Sequence, residues 1–250
     1  MSAQWKHRKA EEQLEPMLRS ATKLDPELVT TYPRAVKDIL CASLPVAFES
    51  HRGLTSAAIV EVLGDVYGVD HRELLEDGDT PMAGYTFARG AVAVVFSDSQ
   101  YGEGFERFTV AHEAAHIAVE YLPALRRAAQ PDLFGAPKAP ILFARRDPPG
   151  HFLAGRDPTP IGSSDLARQY ERLRADRNAL LREIIANACA AELIAPHREV
   201  RSVLRSFAPG TDGVDAIQAH FGLSRRAAQV RLADLGYASH PPQHLSLFLE

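Results

Sequence analysis

The chain has 250 residues, 46% of them hydrophobic, and a formal net charge of -4 at pH 7. This size predicts one main domain with appended helices, and the negative charge argues against nucleic-acid binding driven by overall charge. Two cysteines, Cys41 and Cys189, are too few for a disulfide framework. Because the sequence shows neither a secretory signal nor a segment of membrane-spanning length, we expect a soluble cytoplasmic protein without membrane partners.

Residues 1–32 predict a helical N-terminal extension. Apolar side chains recur there at helical spacing and form a short stripe, made of Leu14, Met17, Leu18 and Ala21. Such a stripe usually packs on the parent domain, and binding of a partner protein is the alternative.

Residues 55–69 predict an amphipathic helix, and two strand-like segments follow it at 85–87 and 91–96. The intervening Arg89 and Gly90 suit a turn, so the two segments predict a hairpin. An exposed edge of this hairpin could accept an extended peptide by main-chain pairing.

Residues 112–116 read His-Glu-Ala-Ala-His, the HExxH arrangement of zinc hydrolases. The preceding residues 105–111 contain no glycine or proline and place apolar side chains at helical spacing, which predicts a buried helix. On a helix, His112 and His116 share one face and can bind one metal ion, while Glu113 lies beside the remaining coordination position. The alternative is a pair of ordinary histidines on a helix without metal.

Residues 121–162 contain eight prolines and predict mostly loop. Loops of this length in a compact domain are often functional lids or binding loops. We therefore favour a substrate-contacting or site-covering role for this insertion, with a plain surface insertion as the alternative.

Residues 163–195 predict a long helix that Pro196 ends. Glu183 and Asn187 share one face of it, so Glu183 could supply a third metal ligand and Asn187 could hydrogen-bond a ligand and orient it. From spacing alone Glu183 is a weak candidate, because most glutamates on a long helix face water.

Residues 214–237 predict two helices around the turn at 221–224, with helix-turn-helix proportions. Three arginines in this segment could contact phosphates, and three aspartates reduce its basic excess: Arg225, Arg226 and Arg231 against Asp212, Asp215 and Asp234. We therefore favour packing or substrate docking over DNA binding for this segment. The apolar tail at 238–250 could dock on the body of the protein or on a second copy.

Two stretches carry a family resemblance. Residues 108–116, FTVAHEAAH, resemble the FTLAHExGH signature of the ImmA/IrrE family of bacterial metallopeptidases, and residues 183–196, EIIANACAAELIAP, resemble its second signature, ExxANxFAxxLLMP. The resemblance covers roughly residues 33–237. The departures are small side-chain changes within the signatures and a spacer between them that is longer than expected. The substituted positions are Ala115, Cys189 and Ala195.

The resemblance implies that His112 and His116 bind the metal, that Glu113 is the catalytic glutamate and that Glu183 is the third ligand. It also implies an α+β fold. We expect a mainly helical zincin-like metallopeptidase core with a small antiparallel sheet, followed by a C-terminal helix-turn-helix-like segment. The expected divisions are residues 1–32, 33–196 and 197–250.

By the same resemblance, the chain would be a zinc-dependent endopeptidase that cleaves XRE-type helix-turn-helix repressors and so switches on stress, DNA-damage or mobile-element genes. Zinc is the expected metal, and manganese or iron is the alternative. The donor that would stabilise the oxyanion stays open among Tyr121, Arg146, His151 and Tyr170. Two rival functions remain: a non-catalytic DNA-binding or repressor-docking regulator acting through the C-terminal helices, and a protein that binds metal only for structure.

Overall fold

Helices make up most of the described chain in the computed structural model. It describes residues 3–76, 78–89, 92–124, 142–147, 177–206 and 212–237. Three sequence-based expectations therefore lie wholly or partly outside the described residues: the start of the long helix at 163–176, most of the insertion, and the tail from residue 238.

Nine α-helices and four strands are assigned in these described ranges. The helices are α1 (Ala3–Leu24), α2 (Glu27–Thr30), α3 (Val36–Cys41), α4 (Ser56–Asp65), α5 (Glu103–His116), α6 (Arg177–Ile194), α7 (His197–Ser206), α8 (Gly213–Phe221) and α9 (Arg225–Asp234). The strands are β1 (Val46–His51), β2 (Gly84–Arg89), β3 (Val92–Asp98) and β4 (Leu142–Asp147). A single π-helical turn, Ile117–Tyr121, continues α5.

The strands form one mixed sheet in the order β1-β3-β2-β4. β2 runs antiparallel to both β3 and β4, whereas β1 runs parallel to β3. The α+β class is confirmed, but the expectation of a small antiparallel sheet is wrong, because the sheet is mixed. The chain passes from β1 through α4 and β2 before it enters β3, and this route returns it to the sheet in the direction of β1.

The predicted hairpin is present as β2 and β3, but neither strand is at an edge of the sheet. β3 lies between β1 and β2, and β4 covers the other side of β2. The expected free hairpin edge is therefore wrong. The strand that covers β2 is β4, which belongs to the insertion predicted as mostly loop. β4 consists of residues 142–147, a proline-free stretch between Pro140 and Pro148.

Alternate side chains of the sheet enter two different apolar clusters, as the two-residue period of a strand requires. Tyr85 and Phe87 of β2 pack with α4 in a smaller cluster. Ala88 of β2 belongs to the main cluster, which also holds residues of α5 and α6. The sheet therefore separates α4 from the helices that carry the predicted metal-binding residues.

The N-terminal stripe is buried against the body of the protein. Leu14, Met17 and Ala21 are almost inaccessible to solvent, Leu18 packs beside them, and α1 contacts α6. This is the packing alternative for the extension.

The predicted pair of C-terminal helices is present as α8 and α9. Gly222 ends α8 in the left-handed conformation with φ 62°, and the Ser224 side chain caps α9 by accepting a hydrogen bond from the backbone N–H of Ala227. Among the described helices, none combines the length and the apolar character needed to cross a bilayer. Cys41 and Cys189 are both free thiols.

Candidate metal centre

Two helices bring three buried donor groups together. His112 and His116 lie on α5 with their Nε2 atoms 2.9 Å apart. Glu183 on α6 places Oε2 3.4 Å from His112 Nε2 and Oε1 3.6 Å from His116 Nε2. Both histidines are fully buried and Glu183 is 3% exposed, so the reading of Glu183 as a solvent-facing glutamate is wrong.

A hydrogen bond at Nδ1 fixes the imidazole ring of each histidine. His112 Nδ1 lies 3.1 Å from Asn187 Oδ1, and His116 Nδ1 lies 2.6 Å from Glu120 Oε1. A carboxylate and an amide oxygen only accept hydrogen bonds, so Nδ1 of each ring carries the proton and donates it. Each Nε2 then presents a lone pair toward the other ring and toward Glu183.

This donor set fits a divalent cation. Two imidazole lone pairs and a carboxylate within one small buried space repel one another unless a positive charge lies among them. Their separations are close to the edge of a tetrahedron with metal bonds of 2.0–2.1 Å, which is about 3.4 Å. Of the metals common in proteins, zinc suits two imidazoles and one carboxylate best, and manganese or iron would accept the same donors.

Glu120 was missed by the sequence analysis. It lies in the π-helical turn that follows α5, one turn beyond His116, and its second carboxylate oxygen is 2.8 Å from Arg182 Nε on α6. The spacing of four residues from His116 was visible in the sequence. The spacing alone did not show that a carboxylate there faces the ring and links the two metal-binding helices.

Glu113 is fully buried and is held by β2. Thr86 Oγ1 donates to Glu113 Oε2 at 2.5 Å, which fixes the carboxylate of the residue that follows His112 on α5. Gly84 is needed beside it, because a Cβ at that position would lie 2.6 Å from both Glu113 Oε1 and Thr109 Cγ2. Neither Gly84 nor Thr86 was singled out from the sequence. Their two-residue spacing on a strand would have placed them on one face.

A second group of His and Glu residues lies where α1, α6 and α7 meet, and consists of Glu11, Glu192 and His197. Arg231 of α9 enters this group and bonds Glu192 at 2.5 Å, and His7 Nδ1 lies 3.1 Å from the same carboxylate oxygen. Burial raises the pKa of Glu192, but hydrogen bonds from His7 and Arg231 outweigh it and lower the pKa to about 2. The arginine supplies the balancing positive charge, which makes this an ion-pair network that joins four helices.

Arg225 and Arg231, both considered for phosphate contact, form ion pairs within the chain. Arg231 is 3% exposed and bonds Glu192, Asp234 and the Ala195 carbonyl. The suggestion that it contacts phosphates is therefore wrong. Arg225 forms ion pairs with Asp212 and Asp215.

The turn between α8 and α9 is also closed off, since Arg107 donates to the carbonyls of Phe221 and Gly222. The pair of helices is therefore built into the body of the protein.

Two of the four residues considered as the oxyanion donor, Tyr121 and Arg146, lie in the described part of the chain. Tyr121 is buried in the main apolar cluster, and burial raises its pKa. Arg146 belongs to β4. His151 and Tyr170 lie outside the described residues.

Comparison with known proteins adds no assignment. No family model matches the chain, and no curated protein matches it significantly. The two signature stretches and the geometry of the centre therefore carry the functional argument.

Proposed function

We propose that this protein is a zinc-dependent endopeptidase with a zincin-like core, whose substrate is an XRE-type helix-turn-helix repressor. The single observation that carries the proposal is the meeting of His112, His116 and Glu183 around one point, with Glu113 buried beside them. The order of the two ImmA/IrrE-like signatures supports it. The repressor substrate and the release of stress, DNA-damage or mobile-element genes rest on that resemblance.

Zinc, when held by the three donors, supplies a Lewis acid that polarises a water molecule and a peptide carbonyl. The chain's own residues do the rest. Glu113 accepts the proton of the attacking water at its carboxylate and passes it to the nitrogen of the leaving amine. Thr86 keeps that carboxylate in place, and Gly84 leaves it room. Asn187 and Glu120 fix both imidazole rings through Nδ1.

The buried position of Glu113 favours catalysis over a purely structural metal. A structural zinc site is normally closed by four protein ligands and has no need of a base. Here three donors converge, and the adjacent carboxylate is held by a hydroxyl group. The DNA-binding rival is less favoured, because Arg225 and Arg231 are committed to ion pairs within the chain.

The test pairs metal content with cleavage. Wild type, Glu113→Gln and the control Glu103→Gln are purified, their zinc is quantified, and each is incubated with the XRE-type repressor encoded nearest its gene. We expect equal zinc in all three, cleavage by the wild type and the control, and a loss of at least about a thousandfold in Glu113→Gln. Undiminished cleavage by Glu113→Gln would remove Glu113 as the base. Absence of zinc from the wild type would contradict the proposal of a zinc-dependent endopeptidase.

A further inference from the structure

The side of β2 that faces away from β3 lies close to Glu113 of the candidate metal centre. Two residues of β2 contact Glu113: Thr86 through its hydroxyl and Gly84 through its backbone position. A polypeptide paired with β2 on that side would lie one strand spacing, about 4.8 Å, from these two residues.

The backbone groups that face this side can be identified from the pairing of β2 with β3. In an antiparallel pair, alternate residues direct both N–H and C=O toward the partner strand. Asp98 N donates to Ala83 O at 2.9 Å, and the same register pairs Tyr85 with Phe96 and Phe87 with Val94. Residues 83, 85 and 87 therefore face β3. The N–H and C=O groups of Gly84, Thr86 and Ala88 face the other side.

A segment of the chain's own insertion occupies this side. β4 runs antiparallel to β2 and pairs Asp147 with Gly84, Arg145 with Thr86 and Phe143 with Ala88. These are the β2 residues whose backbone groups face away from β3. β4 therefore uses the hydrogen-bonding groups that an extended substrate would need on this side of β2.

We propose that the side of β2 now paired with β4 is the binding site for an extended peptide segment, and that β4 is an internal strand that a substrate must displace. The inference rests on the proposed peptidase function and identifies β4 as the segment that restrains peptide cleavage. A peptide that replaced β4 would run antiparallel to β2 and pass beside Thr86 and Glu113.

β4 competes with a free peptide for β2, and it has an advantage because it belongs to the same chain as β2. A strand linked to its own binding site acts at an effective concentration on the order of millimolar, so a free peptide must pair more strongly than β4 or add contacts elsewhere. Most unfolded segments would fail this requirement. A substrate that docks on the enzyme through a second surface would meet it, which gives selectivity for few proteins.

The test uses the direction of two neighbouring amides. By the register, the amide of Arg145 points to Thr86 and that of Ala144 points away from β2. Arg145→Pro therefore removes a bond to β2, whereas Ala144→Pro is a matched proline control and Arg145→Ala removes the side chain alone. All three changes are made in the full-length, zinc-loaded Glu113→Gln protein, which cannot cleave the probe.

Two readouts are expected to change together in Arg145→Pro alone. Backbone amides of Gly84, Thr86 and Ala88 should exchange with solvent about tenfold faster, and those of Tyr85 and Phe87 should keep their rates. A dye-labelled peptide copying residues 142–147 should bind at least about tenfold more tightly than to the control variants. Equal behaviour of Arg145→Pro and Ala144→Pro, or faster exchange without tighter peptide binding, would overturn the inference.

A cleavage readout separates this inference from the proposed function. The same three changes in the protein with Glu113 intact are tested on an unfolded substrate, reduced casein. Faster cleavage by Arg145→Pro than by Ala144→Pro supports displacement, and equal rates overturn it as the restraint. If no variant cleaves although Arg145→Pro has gained peptide binding, the peptidase proposal fails and the peptide site at β2 stands.

Discussion

Two groups of histidine and glutamate side chains in the described residues differ in the charges that surround them. In the first, His112 and His116 direct lone pairs toward Glu183, and the rear of each ring is fixed by an acceptor. In the second, Arg231 bonds Glu192 at the centre of the group. Residue types and proximity are thus insufficient to define a metal site. The source of the balancing positive charge distinguishes the two groups.

Removal of one donor from each group gives the largest predicted contrast. We expect Glu183→Ala to lower zinc affinity on the order of a thousandfold, because the site has only three protein donors and zinc-binding free energies of roughly 10–16 kcal/mol in zinc-finger sites are shared among four. Glu192→Ala should bind zinc as the wild type does. Competition with a coloured chelator measures both. Retention of tight zinc binding by Glu183→Ala would break the comparison.

The second group should instead contribute to stability. Glu192→Gln removes the charge of the nearer of the two carboxylates that bond the buried Arg231, which costs about 3–5 kcal/mol of unfolding free energy. Urea unfolding of zinc-free protein provides the measurement, and the exposed Glu12→Gln is the control, with an expected change within about 0.5 kcal/mol. A Glu192→Gln protein as stable as the wild type would show that the network is energetically neutral.

Acid should reduce the contribution of Glu192 to the free energy of unfolding in a defined pH range. The pKa of Glu192 is about 2 in the folded protein, against 4.5 for an unperturbed glutamate, so its contribution is complete above about pH 4.5 and is lost as the pH falls toward 2. The difference corresponds to about 3 kcal/mol. Urea unfolding of zinc-free protein between pH 5 and pH 2.5 should show this loss in the wild type, and Glu192→Gln should lack it. Parallel curves for the two proteins would contradict the assignment.

The smallest predicted effect belongs to the group that orients His116. Glu120→Ala should lower zinc affinity by about 10- to 100-fold, because ring orientation and ligand basicity depend on the carboxylate behind the ring. Chelator competition is again the measurement, and Glu103→Gln on the same helix is the control. An unchanged affinity in Glu120→Ala would limit Glu120 to a packing role with Arg182.

Local patterns predicted the elements that depend on neighbouring residues. The run before His112 predicted the helix that carries both histidines, and Gly222 and Ser224 predicted where α8 ends and α9 begins. In each case the signal and the structure it specifies lie within a few residues of each other. The stripe of α1 was recognised for the same reason.

Features created by distant contacts were not predicted. The pairing of β1 and β4 depends on strands far away in sequence. The bond from Thr86 to Glu113 joins a strand to a helix, and the role of Arg231 becomes visible only when α9 packs on α6. Glu183 was a weak candidate by spacing, because helical periodicity does not specify which face meets α5.

The packing of α1 on α6 has a consequence for synthesis on the ribosome. Translation proceeds from the N-terminus, so the stripe of Leu14, Met17 and Ala21 emerges more than 150 residues before α6 does. At 5–20 residues per second, this interval is on the order of ten seconds. During that time the nascent chain carries an exposed apolar helix and lacks Glu183. The stripe therefore cannot pack on α6, and the candidate metal centre cannot assemble, until α6 has been synthesised.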